Sequence, residues 1–190
     1  MKNMKKSTII LIAVAAVVAL LVIWAISSYN GLVSAEEGVN NKFAEIQTQL
    51  QRRTDLIPNL VNTVKGYAAH EEEIYTALAD ARAKMMGANT MDETIEADAE
   101  LSSALSRLMV VVENYPELKA NENFINLQDE LAGTENRIQK ARQNYNDAAT
   151  AYNAKIRKFP SSIMAGIGGF EKVELFKAAP GAENAPTVEF

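Results

Sequence analysis

Eighteen consecutive residues, Ile9 to Ile26 (IILIAVAAVVALLVIWAI), carry no charge. As a helix rising about 1.5 Å per residue they cover about 27 Å, close to the roughly 30 Å hydrocarbon core of a bilayer. Trp24 and Tyr29 fall where interfacial aromatic residues are expected. The rival reading is a cleaved signal peptide, with Val33-Ser34-Ala35 as a small-residue cleavage site. The run is longer than a usual signal core, and an apolar stripe continues through the supposed cleavage site, so a retained anchor is expected. The resulting organisation is a basic tail at 1–8, an anchor at 9–28, a helical domain at 29–160, and an apolar, glycine-rich segment with a flexible tail at 161–190.

Charge orients the anchor and narrows the function. Lys2, Lys5 and Lys6 precede the run, while Glu36 and Glu37 are the first charges after it. The positive-inside bias places the short N-terminus in the cytoplasm and the domain on the extracytoplasmic side of a bacterial inner membrane. Removing those three lysines from the 19 basic residues leaves 16 against 24 acidic ones, a net of −8 beyond the anchor. An acidic domain is a poor nucleic-acid ligand, since binding requires cations against phosphates. Cysteine is absent, which removes thiolate chemistry and disulfides.

Beyond the membrane, apolar residues step by three and four. The first stripe reads Tyr29, Leu32, Glu36, Val39, Phe43, Ile46, Leu50, and a turn is expected at QRRTDLIPNLV, where Thr54 or Asp55 can cap and Pro58 suits a first turn. A second helix carries Ile57, Val61, Val64, Ala68, Ile74, Leu78 and Ala81 and ends near Gly87. A third, capped by Asp92, carries Leu101, Leu105, Leu108 and Val112 and stops before Pro116. The fourth runs on to Pro160 with only Gly133 as a weak point, along Phe124, Leu127, Leu131, Ile138, Ala141, Tyr145, Ala148, Tyr152, Ile156 and Phe159. Thr134 interrupts this seam, and Leu127 and Leu131 are expected in the core. The fold class is all-α, a single-pass transmembrane helix followed by an antiparallel four-helix bundle with long, coiled-coil-like helices.

Three reversals return the fourth helix toward the bilayer, so Phe159 and the apolar residues Ile163, Met164, Ile167 and Phe170 should arrive near the membrane surface. They either sink among the head groups or cap the open end of the core.

The residues offer little chemistry. His70 is the single histidine, and Tyr67 stands where the Glu of a Glu-x-x-His di-iron pattern would be. His70-Glu71-Glu72-Glu73 lacks a second His for a zinc-protease helix and reads as a solvated face. Ser161 and Ser162 have no histidine nearby in sequence, and no phosphate-cradling loop follows a strand. No catalytic, metal or cofactor site is expected. The polar residues nearest the seams are Arg52, Arg53, Asp55, Asn59, Arg82, Glu130, Glu135, Asn136, Arg142, Asn146 and Asn153. Pairs such as Arg82 or Arg142 with Glu130, Glu135 or Glu113 would fix helix register. The competing reading is a polar groove for a peptide or a lipid head group.

Five ordered motifs carry a family resemblance: YNGLV at 29–33, QLQRRTDLIPNLV at 49–61, ENYPELKAN at 113–121, LQDELAGTENRI at 127–138 and ARQNYN at 141–146. Together with a later YN and FP they resemble the LemA family of bacterial membrane-anchored helical proteins. The resemblance implies an anchor, a helical domain, a short N-terminus on the outer side (opposite to the charge argument) and a membrane protease among the partners. The function expected is that of a non-enzymatic interaction or scaffold protein, linked by analogy to membrane-protein quality control. Its partners would be the lipid bilayer and other membrane or envelope proteins. The alternative is a self-assembling or membrane-remodelling homo-oligomer.

Overall fold

The computed structural model describes residues 6–176, and the flexible tail expected at the C-terminus lies mostly outside them. Among the described residues there are six helices and no strand: α1 (Lys6–Lys65), α2 (Glu72–Gly87), α3 (Met91–Val112), α4 (Pro116–Lys119), α5 (Glu122–Arg157) and α6 (Ser161–Gly168). The apolar run forms the first part of α1, and its most apolar window has none of its residues buried.

The first expected turn does not form. α1 continues through Pro58, and the chain reverses instead at residues 66–71. Thr54 caps nothing; it is fully buried, and its hydroxyl donates to the Leu50 carbonyl within the helix at 2.8 Å. Pro58 costs about 3 kcal/mol in a helix interior. Against that stand Ile57, Leu60 and Val64, all buried, each contributing about 1.5–3 kcal/mol when removed from water. Burial wins.

Two further boundaries differ from expectation. The cap of α3 is Thr90 rather than Asp92: its side chain accepts from Glu93 N, and the Glu93 carboxylate reaches back to the amides of Asn89 and Thr90 at 2.9 and 3.1 Å. Those amides, Asn89 first, hold the Glu93 carboxyl below its ordinary value. The long fourth helix is split, because Pro116 starts the single turn of α4 and Asn121 Oδ1 accepts from Phe124 N at 3.1 Å to open α5 afresh. Gly133 passes through α5 without a break.

The described chain forms two compact units, each drawing on both α1 and α5. One comprises residues 43–143. Here α2 and α3 form a helical hairpin over a three-residue loop, and α1 and α5 run antiparallel, with Arg52 meeting Glu130 and Tyr67 meeting Asn121. Its core holds Ile46, Leu50, Ile57, Leu60, Leu78, Leu101, Leu108, Leu118, Phe124 and Ile138. Leu127 and Leu131 are not in that core; both are half-buried, whereas Thr134, the supposed interruption, is fully buried with its hydroxyl bonded to the Glu130 carbonyl.

The other unit comprises residues 6–42 and 144–176 as described. Its helices are also antiparallel: Lys155 Nζ donates to the Gly31 carbonyl, and the Tyr152 hydroxyl lies 3.4 Å from Glu36 Oε1. Leu32, Val39, Tyr145, Ala149 and Tyr152 are buried between them. The Ser161 hydroxyl donates to carbonyls at the end of α5, and Gly169, at φ 71°, supplies the left-handed residue that closes α6.

Candidate functional site

In the unit of residues 43–143, the polar residues near the seams converge on one carboxylate that sequence reading missed. Asp98 sits on the α3 stripe with Thr94, Leu101, Leu105 and Leu108, an acid at an apolar position. That misplacement is the signal that could have found it. Arg53 Nη1 of α1 donates to Asp98 Oδ1 at 3.0 Å, and Arg142 of α5 pairs with Asp98 Oδ2. Arg53 also lies 3.1 Å from Glu135 Oε2, as an ion pair without hydrogen-bond alignment. The side chains of Arg53 and Asp98 are 9% and 8% exposed, so a desolvated pair stands at the centre of a network that, with the more exposed Arg142 and Glu135, ties α1, α3 and α5 together. Two arginines against two carboxylates leave it neutral.

The remaining candidates fall elsewhere. Arg142 and Arg82 do not meet Glu113, which pairs with Lys119. Arg82 Nε donates to the Thr54 carbonyl at 3.3 Å. Arg52 and Glu130 form a half-exposed bridge at 2.9 Å, of a kind contributing about 0–1 kcal/mol. Asp55 accepts from Gln51 on its own helix, Asn136 is exposed, and Asn59 lines a shallow polar hollow with Asn123, Asn126 and Glu130. A groove of about 350 Å³ opens beside the arginine network, with Leu105, Met109 and Leu131 as its apolar lining and Arg53, Gln128 and Glu135 as polar edges. Val110 and Ile125 add exposed apolar surface on the same two helices, α3 and α5.

In the unit of residues 6–42 and 144–176, Asn146 and Asn153 hold the chain's own extended segment. Asn153 donates to the Val173 carbonyl and accepts from the Val173 amide, at 2.9 and 3.0 Å. Asn146 does the same to Phe176, at 2.9 Å both ways. The Tyr145 hydroxyl donates to the Glu174 carbonyl at 2.9 Å, and its ring meets Phe176 edge-on at 5.3 Å. Burial and then the Glu174 charge hold the Tyr145 phenol above its ordinary value, and burial with Glu36 beside it does so for Tyr152. An asparagine side chain presents one donor and one acceptor in a plane, which matches a peptide group of an extended chain regardless of its side chain.

Among the described residues, no group of three or more histidine or acidic side chains is placed to hold a metal. His70 is exposed. These features define a class: a membrane-associated, all-helical protein with a long apolar N-terminal helix and an internally neutralised polar core. The sequence profile of the LemA family matches residues 42–190, and the chain belongs to that family. Among its relatives, Magnetosome protein MamQ 2 of Paramagnetospirillum magneticum is 29% identical over 182 residues, spanning 82% of this chain and 67% of the relative. Magnetosome protein MamQ of Magnetospirillum gryphiswaldense matches to the same extent. Protein LemA of Metamycoplasma hominis is 26% identical over 152 residues, spanning 79% and 67%.

Proposed function

We propose that this protein holds partner proteins at a membrane through its helical faces, and that it performs no catalysis of its own. The observation that carries this reading is that the chain has both a membrane-length apolar helix, whose most apolar window has none of its residues buried, and a groove lined by apolar Leu105, Met109 and Leu131 together with polar Arg53, Gln128 and Glu135. The titratable groups beside that groove are spent on one another, Arg53 and Arg142 on Asp98 and Arg53 on Glu135, an arrangement suited to fixing helices rather than to exchanging protons. The partners are other membrane or envelope proteins, a membrane protease among them, with a role in membrane-protein quality control. The domain stands on the extracytoplasmic side of the inner membrane, on the strength of the three lysines before the anchor.

A photo-crosslinking residue at Val110, 68% exposed on α3, tests the reading in intact cells. Heteromeric adducts with membrane or envelope proteins, identified by mass spectrometry, are expected. Adducts with further copies of this chain alone would replace the scaffold by a self-assembling protein.

A further inference from the structure

The covered strip of α1 runs into the apolar run itself. Leu32 is fully buried, and Ser28, Ala25 and Trp24, which lie four, seven and eight residues before it on the same face, are half-buried. Leu21, the next residue on that face, is 57% exposed, as are Ile23 and Ile26 at 64% and 57%. Cover therefore ends within the last turn of the anchor. Lys155 of α5 reaches Gly31, so residues that follow it in the antiparallel direction meet α1 nearer its N-terminus. The structure places α6 and its C-terminal turn there. Phe170 packs edge-on against Tyr29 with ring centres 5.5 Å apart, and Gly168 is so close that a Cβ on it would lie 3.1 Å from Tyr29 Cε2. Tyr29 is three residues beyond Ile26, or about 4.5 Å along the helix.

This segment is not a core cap. Ala165 is buried, and Met164 and Phe170 are half-buried, but Phe159, Ile163 and Ile167 are 83%, 49% and 73% exposed. Ile163 and Ile167 are one turn apart and form a stripe on α6. No charge occurs from Phe159 to Phe170, while Arg157 and Lys158 stand exposed immediately before it, followed by Glu171 and Lys172 after it. An uncharged apolar stripe behind a pair of cations, abutting the end of a membrane span, has the make-up of an interfacial element.

We infer that α6 and the Phe159 turn are a second membrane contact, lying in the head-group region beside the anchor with Phe159, Ile163 and Ile167 in lipid. The occupant is the bilayer surface, because the turn that closes α6 packs on Tyr29, within one helical turn of the end of the apolar run of α1. The inference rests on α1 being a membrane span, and the test separates the two. The chain has no cysteine, so single cysteines at Ile26, Ile167 and Val110 can each carry a solvent-sensitive fluorophore in the full-length protein. The protein is reconstituted into phosphatidylcholine–phosphatidylglycerol vesicles with spin-labelled lipids. The expected result is blue-shifted emission and strong loss of fluorescence at Ile26 and Ile167, with the Ile167 probe quenched more by head-group labels than by chain-end labels, and no loss at Val110. Loss at Ile26 without loss at Ile167 would overturn the interfacial placement and leave the anchor standing. Loss at neither site would overturn both. A folded control is the retained helical circular dichroism of each labelled protein.

Discussion

Arg82 donates its Nε–H to the main-chain carbonyl of Thr54, 28 residues earlier, at 3.3 Å. That carbonyl would ordinarily accept from the amide four residues on, but residue 58 is proline and has none. A side chain of α2 thus supplies the hydrogen bond that α1 lacks, and this relation lets a 60-residue helix run through a proline. Arg82→Ala should destabilise the protein by about 1–3 kcal/mol, the cost of an orphaned buried acceptor. Pro58→Ala restores the missing donor, so the arginine substitution should cost clearly less in that background. Urea denaturation of the four proteins of this cycle would measure it, and strictly additive effects would show that the two residues do not share an acceptor.

Asp98 is the acceptor for buried Arg53 and half-buried Arg142, so removing it leaves two cations without their shared partner. Asp98→Ala should cost about 3–5 kcal/mol, as breaking a desolvated ion pair does. Arg52→Ala, which opens a half-exposed bridge, should cost less than about 1 kcal/mol. Melting temperatures of the two variants would order them, and equal small losses would place Asp98 in solvent.

The predicted core of α5 was half right, and the reason is physical. Step-three and step-four spacing identifies a stripe but not its width, and where the groove opens, the stripe's edge is left facing water. Leu127 and Leu131 lie on that edge, while Thr134 moves inward because its hydroxyl is satisfied by the Glu130 carbonyl of its own helix. Phe124, Ile138, Ala141, Tyr145 and Tyr152 were legible and are buried. Leu60→Ala, at a fully buried position, should cost about 2–5 kcal/mol. Leu131→Ala should cost distinctly less, and a larger fall in melting temperature for Leu131 than for Leu60 would reverse this assignment.

The all-helical class, the long apolar N-terminal helix and the reversal near Gly87 were readable from composition, periodicity and loop residues alone. The turn misplaced at Thr54 was not, because a proline reads as a break until the arginine that compensates for it is seen. Asp98 and the grip of Asn146 and Asn153 on the segment after α6 depend on contacts 20 to 45 residues apart, which no local pattern carries.

That grip makes its own prediction. Asn146→Ala with Asn153→Ala removes four hydrogen bonds to the main chain of Val173 and Phe176. Hydrogen exchange of those two amides should speed up markedly, while exchange within α2 and α3 stays unchanged. Unaltered protection at Val173 and Phe176 would show that the segment is held by other means.

Both the tethered scaffold and the second lipid contact require the apolar helix to remain part of the working protein. Intact mass spectrometry of the protein extracted from membranes of the cells that make it measures this directly. The expected mass includes the N-terminus from Met1 or Lys2. A mature chain beginning at Glu36, after Val33-Ser34-Ala35, would contradict it, since neither a tethered scaffold nor a second lipid contact beside the anchor could then exist.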